Sequence, residues 1–153
     1  MSLVTPRAAV RPGYAFFPVV VAVPIVCFIG TLLTDFAYWK SAEMMWADFS
    51  AWLVSTGVVF GFIALIVWIV DVLRGPFVRA QLPAWPYAIA YLAALVLGTL
   101  DMLVHTRDAW TSVVPWGLAL SAVTAVIVVV AGWMGRTAVL SETLAVRRVG
   151  VAP

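Results

Sequence analysis

Four stretches of this chain are apolar for long enough to cross a bilayer, about 20 residues each. They run over residues 15–33, 49–72, 85–104 and 113–134. No water is present in the hydrocarbon to satisfy broken backbone, so each is expected to be helical. The β-branched run Val126-Ile127-Val128-Val129-Val130 is the one competing signal. It lacks the alternation of a membrane strand, which sets a barrel aside. The expected fold is all-α, an integral membrane bundle of four transmembrane helices in one domain.

The ends carry ordinary punctuation. Pro83 and Pro86 open the third helix, and Gly75-Pro76 stops the second. Ser41 is placed as the N-cap of the second helix, and Ser112 as that of the fourth, with Pro115 in its first turn. Pro18 and Pro24 are expected to kink the first helix.

Small residues let helix backbones approach in a membrane, and every span carries a stripe of them at steps of three and four. The first has Pro24, Cys27, Thr31, Thr34 and Tyr38. The second has Ser50, Val54, Gly57, Gly61 and Ala64. The third has Tyr87, Ala90, Ala94, Gly98, Asp101 and His105. The fourth has Gly117, Ser121, Thr124, Val128 and Ala131. Gly57, Gly61, Ala94 and Gly98 are the expected close-packing points. The Gly57-xxx-Gly61 pattern suits either packing within the chain or the seam of a homodimer.

Composition agrees with a membrane protein. Of 153 residues, 65% are hydrophobic and 10% charged, against about 25% charged in a soluble domain. Seven cations, Arg7, Arg11, Arg74, Arg79, Arg136, Arg147 and Arg148, fall on the side shared by both termini, and Lys40 and Arg107 on the other. The positive-inside rule then places both termini, residues 1–14 and 136–153, in the cytoplasm. Trp39, Trp46, Trp110 and Trp116 would mark the outer interface, and Trp85 the inner one. The basic excess is too scattered for nucleic acid. The expected partners are the bilayer, a second copy or other membrane proteins.

A signal peptide is not expected, because the first apolar stretch is long and lacks a small-residue cleavage site. The single Cys27 follows Pro24-Ile25-Val26, which does not suit a lipoprotein site, and one cysteine makes no intrachain disulfide.

The candidate chemistry gathers at the outer end. Asp35, Asp48, Asp101, His105, Arg107 and Asp108 are read as one polar cluster there, with Asp35 ending the first helix. Asp101 and His105 share a helical face, four positions apart. Ionisable groups near a membrane are often functional, but within a turn or two of the interface they can simply tie loops together. That structural role is the leading reading. Haem ligation has only His105 and Met102, three apart on one helix, which cannot clamp opposite faces of one iron. A copper site would draw on Met44, Met45, Met102 and His105. A proton or ion path would use Asp35 or Asp101. No nucleophile–base pair, phosphate loop or zinc-protease motif is present, so neither an enzyme nor a resident cofactor or metal is expected.

The run Phe28-Ile29-Gly30-Thr31-Leu32-Leu33-Thr34-Asp35, the segments Ala37-Tyr38-Trp39 and Ala42 to Leu53, and above all Val104-His105-Thr106-Arg107-Asp108-Ala109-Trp110-Thr111-Ser112-Val113-Val114-Pro115 carry a resemblance. The chain resembles the small bacterial inner-membrane proteins grouped as domain of unknown function 2231, and a fainter match reaches Arg148-Val149-Gly150-Val151. The resemblance implies four spans and no established activity. Some relatives carry fused Rieske or cytochrome-like domains, which implies electron-transfer company. Many have a paired His-Pro segment before the first helix and a histidine at the start of the third. Here those places read Arg11-Pro12-Gly13-Tyr14 and Pro86-Tyr87. If relatives hold haem or metal there, this chain has lost that site. The functional expectation is a non-enzymatic structural or accessory membrane protein. The runner-up is a redox-associated or metal-binding subunit using His105, and the third is a small oligomeric transporter using Asp35 or Asp101.

Overall fold

The computed structural model describes the backbone of residues 17–73, 85–107 and 113–150, and the side chains of residues 20–70, 73, 85–107 and 113–134. Among these residues the chain is all helical. Helix α1 is Phe17–Ser41, α2 is Met44–Leu73, α3 is Trp85–His105 and α4 is Leu118–Gly150. Four segments are long and apolar enough to cross a membrane, one on each helix, the last beginning at Val113 in the turn ahead of α4 and ending at Met134. Beyond Met134, α4 continues as helix to Gly150.

The helices form a ring: α1 packs on α2, α2 on α3, α3 on α4, and α4 back on α1. Neighbours run antiparallel, so α1 and α3 point the same way. Each helix contributes to one apolar centre, made of Phe28, Val54, Val58, Ala94 and Val128. The small-residue stripes face inward as their spacing predicts. Ser50, Val54, Gly57, Gly61 and Ala64 are all buried on α2, and Ser121, Thr124, Val128 and Ala131 on α4.

Close packing explains why glycine stands where it does. A Cβ on Gly57 would lie 2.9 Å from Cε1 of Phe28, and one on Gly98 2.6 Å from the same atom. The Phe28 ring therefore fills the space that two glycines leave, one on α2 and one on α3. A Cβ on Gly61 would lie 2.7 Å from Leu95. The Gly57-xxx-Gly61 pattern is thus used inside the chain.

Large apolar side chains cover the outside instead. Trp52, Ile66, Ile89, Val96, Val126 and Trp133 are each exposed by 60% or more. Water would not tolerate so broad an apolar surface, whereas lipid solvates it. Trp39, Trp85 and Trp116 are also exposed, as interface anchors require, and Trp46 is half-buried.

Three details differ from the sequence reading. The first helix does not end near Leu33 but continues to Ser41, because Tyr38 and Trp39 extend its amphipathic pattern past Asp35. Ser41 closes α1 and does not begin α2. Its hydroxyl donates to the Ala37 carbonyl, 2.8 Å away, and accepts from the Glu43 N–H at 3.3 Å. Ala42 then adopts a left-handed conformation, φ 55°, and its N–H returns to the Tyr38 carbonyl at 2.7 Å. This tight reversal leaves only Ala42 and Glu43 between the helices. Finally, Pro115 does not sit in a regular first turn. Val113–Gly117 is an irregular turn with Val114 extended and a cis Val114–Pro115 peptide, and regular helix starts at Leu118. Pro83, Ser112, Trp110 and the side chain of Pro18 lie outside the described residues, as do the side chains of all the terminal and second-loop arginines.

Candidate functional site

Because α1 and α3 run in the same direction, their C-terminal thirds meet. Asp35 stands six residues before the end of α1, at Ser41. Asp101 and His105, one turn apart, occupy the inward face of the last turn of α3. The imidazole of His105 lies between the two acids. Its Nε2 is 3.0 Å from Oδ1 of Asp35. Its Nδ1 is 2.9 Å from the main-chain carbonyl oxygen of Asp101 and 3.2 Å from that residue's Oδ1. The two acids are at most 1% exposed and His105 8%. The irregular turn 113–117 packs against both α1 and α3, and its Val113 is fully buried.

The tautomer follows from chemistry. A carbonyl oxygen only accepts, so Nδ1 carries a proton and donates it to Asp101. Two arrangements remain at Nε2. Either Nε2–H donates to the Asp35 carboxylate, or a protonated Asp35 donates to a bare Nε2. They differ by the position of one proton along a 3.0 Å line.

Charge limits the unit further. An imidazolium with two carboxylates would carry a net single negative charge inside an apolar bundle, which is expensive. Among the described residues no Lys or Arg reaches either acid. Lys40 lies over the Trp39 ring at 4.1 Å, and Arg107 is exposed. Neutrality therefore calls for one more proton, or for a cation. Two oxygens in the unit, Oδ2 of Asp35 and Oδ1 of Asp101, are buried without a hydrogen-bond partner, and so is Oγ1 of Thr124 on α4.

Of the six residues proposed as one outer cluster, the structure brings together three, Asp35, Asp101 and His105. Asp48 is exposed at the start of α2, Arg107 is exposed after α3, and Asp108 lies outside the described residues. The unit also ties helix to helix and not loop to loop, because α1 stays helical past Asp35. Met102 packs against the apolar centre and Met45 is half exposed, so the methionines do not gather around His105. Gly57, Gly61, Ala94 and Gly98 are buried as expected.

Two contacts had no sequence signal. Thr34 and Ser50 share a hydrogen bond of 2.7 Å between α1 and α2, and the Tyr91 hydroxyl donates to the Gly61 carbonyl at 3.0 Å. Thr34, Ser50 and Gly61 lie on the small-residue stripes and Tyr91 does not, and spacing alone does not pair one helix face with another.

The match to known proteins agrees with this architecture. Residues 13–148 match the family model described as Predicted membrane protein (DUF2231). The chain belongs to that family. No curated protein and no solved structure matches it. Membership in the DUF2231 family covers all four helices and the Asp35–His105–Asp101 unit, and it brings no activity with it.

Proposed function

We propose that this DUF2231 protein is a non-enzymatic, structural or accessory component of the bacterial inner membrane, with both termini in the cytoplasm. One observation carries the reading: its buried ionisable unit is enclosed by packed helices. Asp35 and Asp101 are at most 1% exposed, whereas a catalytic group needs a path for substrate. In this position His105 acts as a clamp, holding α1 to α3 so that the bundle presents one fixed outer surface. The seven-to-two distribution of cations supports the orientation. The wide apolar exterior offers area for lipid, for a second copy or for a membrane partner.

The test has two arms. A reporter fused after Pro153 should behave as cytoplasmic; periplasmic activity would reverse the orientation. Gentle extraction from native membranes should give a particle heavier than a single chain in its detergent shell. A lone chain would overturn the accessory role.

A further inference from the structure

We propose that Asp35, Asp101 and His105 bind one divalent first-row transition-metal ion of the zinc class. The site uses the same buried unit as the clamp but adds a ligand to it, so the two readings can fail separately.

Four observations point to it. One ligand atom from each residue can be chosen so that all three lie within 4.8 Å of one another. Ligands about 2.0–2.2 Å from one tetrahedral ion stand roughly 3.4 Å apart, and His105 Nε2 and Asp35 Oδ1 are 3.0 Å apart. A small opening of that pair admits an ion. Second, the Nδ1–H bond to the Asp101 carbonyl is the outer contact that metal-binding histidines use. It directs the lone pair of Nε2 toward Asp35. Third, Oδ2 of Asp35 is buried without a hydrogen-bond partner, and Oδ1 of Asp101 has only the 3.2 Å ion-pair approach of Nδ1, with no hydrogen bond, a costly state that a cation relieves.

Charge supplies the fourth. Two carboxylates, a neutral imidazole and a divalent ion sum to zero, as an apolar interior requires; a monovalent ion leaves one negative charge uncompensated. The donor set chooses among divalent ions. Calcium takes six to eight oxygen ligands and magnesium keeps several waters, which this packed site does not offer. Soft Cu(I) wants thiolate or thioether. One imidazole and two carboxylates match Zn2+ and its neighbours, with one position left for water.

The chain has a single histidine, so the test is unambiguous. Full-length protein, purified through a histidine-free tag, is stripped with chelator and labelled with 15N-histidine. Zn2+ alone is then titrated. The expected result is one Zn2+ per chain, with the Nε2 resonance shifting to a metal-bound position while Nδ1 stays protonated. Asp35→Asn and Asp101→Asn, checked for helicity and monodispersity, should weaken binding at least about tenfold, and Asp48→Asn should not. An imidazole signal unmoved by stoichiometric Zn2+ in folded wild-type protein overturns the site. So does tight binding that survives in folded Asp35→Asn and His105→Gln. If wild-type protein ignores Zn2+ but Asp35→Asn lowers the melting temperature, the metal site falls and the clamp stands.

Discussion

His105 reaches Asp35 across 70 positions of sequence, with Nε2 and Oδ1 3.0 Å apart and both side chains at most 1% exposed. This contact joins the two parallel helices that lie across the ring from each other. Neighbouring pairs in the ring pack on apolar side chains with single hydrogen bonds at Thr34–Ser50 and Tyr91–Gly61, whereas this polar contact sets which faces of α1 and α3 look at one another.

Removing the histidine should therefore be costly. His105→Ala leaves two buried acids without their shared partner, and losing one member of a buried pair costs about 3–5 kcal/mol. Thermal unfolding in detergent should show a large drop. Asp35→Ala combined with His105→Ala should cost less than the sum of the single changes, by roughly 0.5–3 kcal/mol. Strict additivity would mean that the two residues do not act as a pair.

The exposed members of the polar end should behave differently. Asp48→Asn and Arg107→Gln are expected to change stability by no more than about 0.5 kcal/mol, the usual range for surface positions. A loss comparable to that of His105→Ala would restore them to the cluster.

Gly98 should resist enlargement. A Cβ there meets Phe28 Cε1 at 2.6 Å and Cζ at 2.7 Å, and overpacking of this kind costs about 1–3 kcal/mol. Phe28→Leu in the Gly98→Ala background should recover part of the loss, because the shorter side chain vacates the ring's space. A double variant that melts no higher than Gly98→Ala would place the strain elsewhere.

The Thr34–Ser50 bond should contribute modestly. Hydrogen bonds between membrane helices average about 0.6 kcal/mol, so Ser50→Ala is expected to lower stability by about that amount. Val54 and Ala47, buried on the same face, should hold the helix pair together in that variant, leaving the helical signal of circular dichroism unchanged.

Much of the architecture was legible in residue order alone. Hydrophobic length set the four spans, because lipid forces an apolar stretch of that length to satisfy its own backbone as helix. Steps of three and four set which face of each helix turns inward, because a helix repeats its face on that period. Ser50, Val54, Gly57, Gly61 and Ala64 are buried for that reason. The place of Asp101 beside His105 on one face was readable by the same rule. Tertiary structure decided the rest. That Asp35 joins them, while Asp48 and Arg107 stay outside, depends on how far α1 continues past Asp35 and on its rotation against α3. That Phe28 fills the gaps at Gly57 and Gly98 depends on the same rotation. Periodicity is a local property of one helix, whereas these pairings require the register of several helices at once, and that register is set by how their side chains interlock.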